Sequence, residues 1–264
     1  MFDKFPVGFW NYTSIEDTDI SFVKDWVECG ITLTQSPRYN AKRDTDGSMK
    51  KKMLEIMDEC HKNGIKLIIN DSRVGWRGAH DNPEDYRRRY AEVLADFGNH
   101  PATYGIEVGD EPFRNSMPDV FAACKIQKEM APHLAPFLNL LPLWNGGYIG
   151  YTDIDECFED YKANLNVNVI CYDRYSQMNP EDSGTDYYFF DLRRYFELAK
   201  EMNIPLWTTL LSVGHFRYRV PSYDDYRWQF NTAIASGCKG VMWFYFYGFN
   251  APNSNYRGSP MNMF

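Results

Sequence analysis

A single (β/α)8 barrel filling residues 1–264 is the fold this sequence predicts, and three observations carry it. Short apolar runs alternate strictly with segments of helical spacing, the alternation yields eight runs and seven helical segments, and most of the runs end at polar or charged residues. Such alternation specifies parallel βαβ units, and eight of them close as a barrel. A doubly wound open sheet shares the alternation, but it normally has a Gly-rich phosphate turn after its first strand, and Gly8 to Tyr12 has no such spacing.

In order, Phe5 to Trp10 is the first apolar run, and Ile20 to Cys29 has helical spacing and stops at Gly30. Ile31 to Gln35 is the second strand. Met49 to Lys62 follows as a helix, with Met53, Leu54, Met57 and Cys60 on one face and Gly64 as its stop. Ile65 to Asn70 is the third strand, and the next helix starts at Pro83, a residue suited to a first turn. The stretch Thr103 to Phe113 is read as the fourth strand, stopped by the adjacent carboxylates Asp110 and Glu111 and by Pro112. A helix over Val120 to Met130, a strand over Pro136 to Leu143 and a helix over Ile154 to Leu165 continue the rhythm. Val167 to Tyr172, Ile204 to Leu211 and the aromatic run Gly240 to Tyr247 are the last three strands, with helices Tyr187 to Met202 and Tyr223 to Ser236 between them. The eighth helix is missing or lies beyond Phe264.

Composition narrows the partners. A net charge of -8 argues against nucleic acid and against an anionic membrane surface. No apolar run reaches the roughly 18 residues of a membrane span. The six cysteines are dispersed without a CxxC pair and read as reduced, buried small hydrophobes, so neither a zinc site nor another cofactor is expected. Compartment and oligomeric state are left open: a removed secretion signal would mean a periplasmic or secreted protein, and otherwise a cytoplasmic one.

In a barrel the carboxyl ends of all strands meet at one mouth. That mouth is expected to hold Trp10, Asn11 and Tyr12 from strand one, Arg38 after strand two, Asp71 and Trp76 after strand three, and Asp110 and Glu111 from strand four. Later strands would add Trp144, then Tyr172, Asp173 and Arg174, then His215, and finally Tyr245. Carboxylates ringed by aromatic and amide groups suit carbohydrate, whose rings present CH faces to aromatics and hydroxyls to acids and amides. The plain structural alternative is that Asp110 caps the following helix and Glu111 is merely solvated. Glu107 shares strand parity with Glu111, so either a bulge at Gly109 intervenes or Glu107 is buried with a partner.

The segment His100 to Pro112, reading HPATYGIEVGDEP, resembles the strand-four signature of the (β/α)8 glycoside hydrolases of the β-galactosidase and cellulase superfamily, clan A. Tyr172 to Tyr175 and Ala233 to Tyr245 are similar to hydrolase-like relatives that carry the same DEP tripeptide. The resemblance implies that Glu111 is the general acid/base and that Asp110 stands where the usual Asn binds the sugar's 2-hydroxyl. It also implies a Glu at the end of strand seven, where this chain has Leu210 and Leu211.

Three readings follow from that departure. Asp173 or Asp71 acts with Glu111, Asp173 implying inversion across a water; or the barrel binds glycans without cleaving them; or Asp71, Asp110, Glu111, Asp173 and His215 hold a hard metal ion.

Overall fold

The computed structural model describes residues 4–144 and 146–246. Eight parallel strands form one sheet in the order β1-β8-β7-β6-β5-β4-β3-β2, so that first and last strands are neighbours and the sheet curls into a barrel. The strands are β1 (Val7–Phe9), β2 (Leu33–Gln35), β3 (Lys66–Ile69), β4 (Thr103–Asp110), β5 (Ala135–Leu140), β6 (Ile170–Asp173), β7 (Leu206–Leu211) and β8 (Gly240–Phe244). Between them run α1 (Phe22–Glu28), α2 (Ser48–Lys62), α3 (Pro83–Val93), α4 (Met117–Met130), α5 (Ile154–Asn164), α6 (Thr185–Glu201) and α7 (Tyr223–Ala235). The end of the predicted eighth strand at Tyr247 and any eighth helix lie outside the described residues.

Local chemistry sets the boundaries. Asn82 caps α3 by accepting from the Asp85 amide, with Pro83 in the first turn, and Ser222 and Asp225 form a reciprocal capping box on α7. Several strands are shorter than their apolar runs: β6 starts at Ile170 rather than Val167.

The seam between β1 and β2 is closed largely by side chains. Thr32 N donates to Val7 O at 2.9 Å, Val7 N donates to Thr32 Oγ1 at 2.9 Å, and Phe9 N donates to Thr34 Oγ1, which in turn donates to Phe9 O at 2.8 Å. Threonine hydroxyls thus supply both a donor and an acceptor where a regular ladder is absent. The strands come so close that a Cβ on Gly8 would sit 1.9 Å from Leu33 O.

Two cores follow from strand parity. Trp10, Leu33, Ile68, Phe137, Cys171, Trp207 and Met242 fill the barrel interior, while Leu67, Ile69, Ile106, Val108, Leu138, Tyr172 and Leu210 pack outward against the helices. This parity corrects one expectation at once: Tyr172 lies behind the sheet, its ring stacked 4.2 Å from Tyr195, and cannot line the mouth.

Candidate functional site

Four neighbouring inward positions build the floor of the mouth. The pairing of β4 with β5 slips between Glu107 and Gly109, so that Glu107 stands opposite Phe137 and Asp110 opposite Asn139. Both partners face inward, and so both acids do. Gly109 permits the slip: its φ is 151°, and a Cβ there would fall 2.1 Å from the Trp76 ring. Glu111 follows with φ 51°, an uncommon value for a non-glycine residue, and its amide donates to Asn139 O at 2.9 Å.

Asn139 is the hub. Its Nδ2 donates to Asp110 Oδ1 at 3.1 Å and to Asp173 Oδ1 at 2.9 Å. Its orientation is fixed from behind, because Trp10 Nε1 donates to Thr209 Oγ1 at 3.2 Å and the Thr209 hydroxyl then donates to Asn139 Oδ1 at 3.4 Å. Indole is only a donor, so the relay runs one way and leaves the amide NH2 facing the acids.

The acids are held away from their ordinary ionisation. Asp110 and Glu111 keep surface open to the mouth, yet the protein crowding their carboxyl groups removes water from them. That desolvation, with the neighbouring Glu111 charge, pushes Asp110 up to about 7. Glu107, one step deeper, is pushed up to about 8 by desolvation and then by Asp110, and its Oε2 is buried without a hydrogen-bond partner. Glu111 and Asp173 line the same floor as neighbouring carboxyl groups; burial raises both, Asp173 the more strongly because Glu111 and Asp110 add to it, whereas Asp173 itself acts to lower Glu111. Two neighbouring buried carboxyls cannot both ionise readily, so the pair retains a proton above the usual carboxylate range.

Aromatic walls surround this floor. The hollow, about 330 Å³, is lined by Trp10, Tyr12, Trp144, Tyr148, Tyr175, His215, Phe216, Tyr218 and Phe244 together with Asp110, Glu111, Asn139 and Asp173. His215 is buried, its Nδ1 lies 3.0 Å from Val213 O, and burial lowers its pKa, so the ring is neutral near pH 7. Tyr245 backs the wall from inside the barrel, its ring 5.3 Å from that of Tyr12.

Several expected members stand elsewhere. Asp71 is spent on Arg73, which grips it at 3.0 Å and 2.6 Å while also reaching Asp96 at 2.8 Å, and its side chain has no exposure. It cannot serve as partner to Glu111. Trp76 packs behind Gly109 and braces the β4 end from outside the hollow. Asn11 is buried and turns its Oδ1 to the Thr13 amide. Arg38 is exposed, over the Tyr12 ring at 4.5 Å, and acts on Glu107 and Asp110 only through its charge. Arg174 occupies an adjoining hollow.

Sequence reading missed Asn139, although a lone amide in the apolar run Phe137 to Leu143 was the available signal. It also left Tyr148, Phe216 and Tyr218 unassigned. At the end of β7, Leu210 faces the helices and Leu211 is buried, so no acid enters from that strand. Among the described residues, no group of three or more histidines, cysteines or acids has the arrangement to hold a metal ion. No helix among them is long and apolar enough to cross a membrane.

No protein-family model matches the chain, and neither does any curated protein. Solved structures do. The chain aligns with β-galactosidase from the psychrophilic Marinomonas ef1 (TM-score 0.69, 12% identity, 96% of this chain and 55% of that one). It aligns with the catalytic domain of a hyperthermophilic chitinase from Pyrococcus furiosus (TM-score 0.66, 12% identity, 97% and 91%). A third match is the β-glucuronidase of Ruminococcus gnavus (TM-score 0.64, 13% identity, 97% and 46%). The chain therefore spans about half the length of the galactosidase and the glucuronidase. At these identities the likeness is one of fold: an α/β (TIM) barrel of the architecture shared by glycoside hydrolases.

Proposed function

We propose that the barrel hydrolyses glycosidic bonds, Glu111 giving its proton to the leaving oxygen while water adds at the anomeric carbon, and the neighbouring Glu111 and Asp173 together retaining the proton that is donated. The carrying observation is that Glu111 and Asp173 stand together at the floor of one aromatic hollow, both with ionisation raised by burial. A general acid working near neutral pH needs a raised pKa, and for Glu111 burial supplies it. Asp110, which accepts from Asn139, would also accept from a sugar hydroxyl, and Trp144, Tyr148 and Tyr175 would offer faces for the ring.

One feature favours a second reading, a barrel that binds glycans without hydrolysing them: β7 ends in Leu211 where the resemblance calls for an acid. A panel of aryl glycosides and oligosaccharides, assayed for hydrolysis and in parallel by calorimetry, separates the two. Hydrolysis that Glu111→Gln lowers by roughly 10²-fold or more supports the first reading. Binding without turnover of any member selects the second.

A further inference from the structure

Beside the acid-floored mouth lies a second hollow of about 390 Å³, and the two share the walls Trp144, Tyr175, Phe216 and Tyr218. Arg174 lines it and is 5% exposed. A buried guanidinium is ordinarily consumed by hydrogen bonds, as Arg73 is. Arg174 differs. Its one ion pair among the described residues is with Asp191 Oδ2, 3.2 Å from its Nε, and that Nε has no hydrogen-bond partner. The plane of the group is held instead by rings, Trp144 at 4.1 Å and Tyr187 at 5.1 Å. Asp191 approaches at the Nε, which leaves the outer Nη edge of the fork for another oxyanion. A second cation, Arg217, stands on the same hollow in an exposed pair with Asp182 at 2.8 Å.

We infer that this hollow is a subsite for an anionic substituent, a carboxylate or sulfate, on the sugar unit adjacent to the one seated over Glu111. Arg174 would take the anion through its Nη edge, with no need to release Asp191, while Trp144 serves both hollows as a shared wall. The inference rests on the reading that the mouth holds a sugar, but it concerns binding and does not require turnover.

Calorimetry tests it with three probes on the whole chain: a chondroitin 4-sulfate tetrasaccharide, a hyaluronan tetrasaccharide, which carries carboxylates alone, and neutral chitotetraose. The expected result is that at least one anionic probe binds roughly tenfold or more tighter than chitotetraose, the worth of a charge-assisted contact. Arg174→Lys, which keeps the charge but loses the fork, should erase that preference and leave chitotetraose binding unchanged. Should the lysine variant fail to fold, the double change Arg174→Gln with Asp191→Asn removes both charges together and should erase it equally. Which anionic probe gains identifies sulfate or carboxylate. Equal affinity for all three probes, no binding of either anionic probe, or a preference that survives the loss of Arg174 overturns the inference. Turnover is read separately: hydrolysis of neutral glycosides without any anionic preference would sink the subsite and leave the proposed activity standing, whereas Arg174-dependent binding without turnover would do the reverse.

Discussion

Glu107 shows at the scale of one residue how the barrel stores protons. Its carboxyl has an ordinary value of 4.5 and is raised to about 8 in the folded chain. Between those values the native state holds a proton that the unfolded chain has released, so stability is greatest below about 4.5 as far as this group is concerned and falls as pH rises toward about 8. Glutamine resembles the protonated acid and never ionises. Glu107→Gln should therefore melt higher than the parent at pH 8 and within a degree or two of it at pH 5, a difference that thermal denaturation at the two values reads; equal shifts at both would contradict the assignment. Asn139 is the complementary case. Asn139→Leu keeps the volume but removes the donor shared by Asp110 and Asp173, leaving buried acid oxygens unpaired. A loss of about 1–3 kcal/mol in denaturant unfolding is expected, and turnover should fall further than stability does.

Elements explain what was legible in the sequence. Apolar periodicity located each of the eight strands and seven helices, because burial on a sheet face or helix stripe demands it. It could not say which way a side chain near a strand end points, and there the reading failed. Tyr172 sits one residue from Asp173, and parity sends one to the helices and the other to the mouth. Asp71 ends β3 as expected, yet Arg73 two residues later turns back to take it, a local pairing that spacing alone does not announce. Asp110 and Glu111 were found because Gly109 and Pro112 punctuate them, but the slip that turns Glu107 and Asp110 to the same face needed the register with β5. The β1–β2 seam belongs to this scale as well. Thr34→Val keeps shape and removes the hydroxyl that satisfies both Phe9 N and Phe9 O. A cost of about 1–3 kcal/mol is expected in chemical denaturation, and a change below a few tenths would show that the seam closes without it.

Across the whole molecule, closure is what makes chemistry of dispersed residues. Trp10 just after β1, Asp110 on β4, Asn139 on β5, Asp173 on β6 and Thr209 on β7 join one hydrogen-bonded assembly only because the strands converge. The same closure sets the acids among aromatic walls, where desolvation raises their pKa values and sugar faces could stack. In such an arrangement Glu111 donates a proton only while the dyad retains one. The rate should then fall as pH rises through the dyad's raised ionisation, and the position of that fall reports Asp173. The most direct measurement is kcat/KM against pH for a hydrolysed glycoside, in the parent and in Asp173→Asn. The asparagine removes the like charge and can donate to ionised Glu111, so the alkaline limb should move to lower pH, toward the ordinary glutamate value of 4.5. An alkaline limb that stays in place when Asp173 is replaced would contradict the shared proton, and with it the assignment of Glu111 as the acid that the barrel keeps charged with a proton.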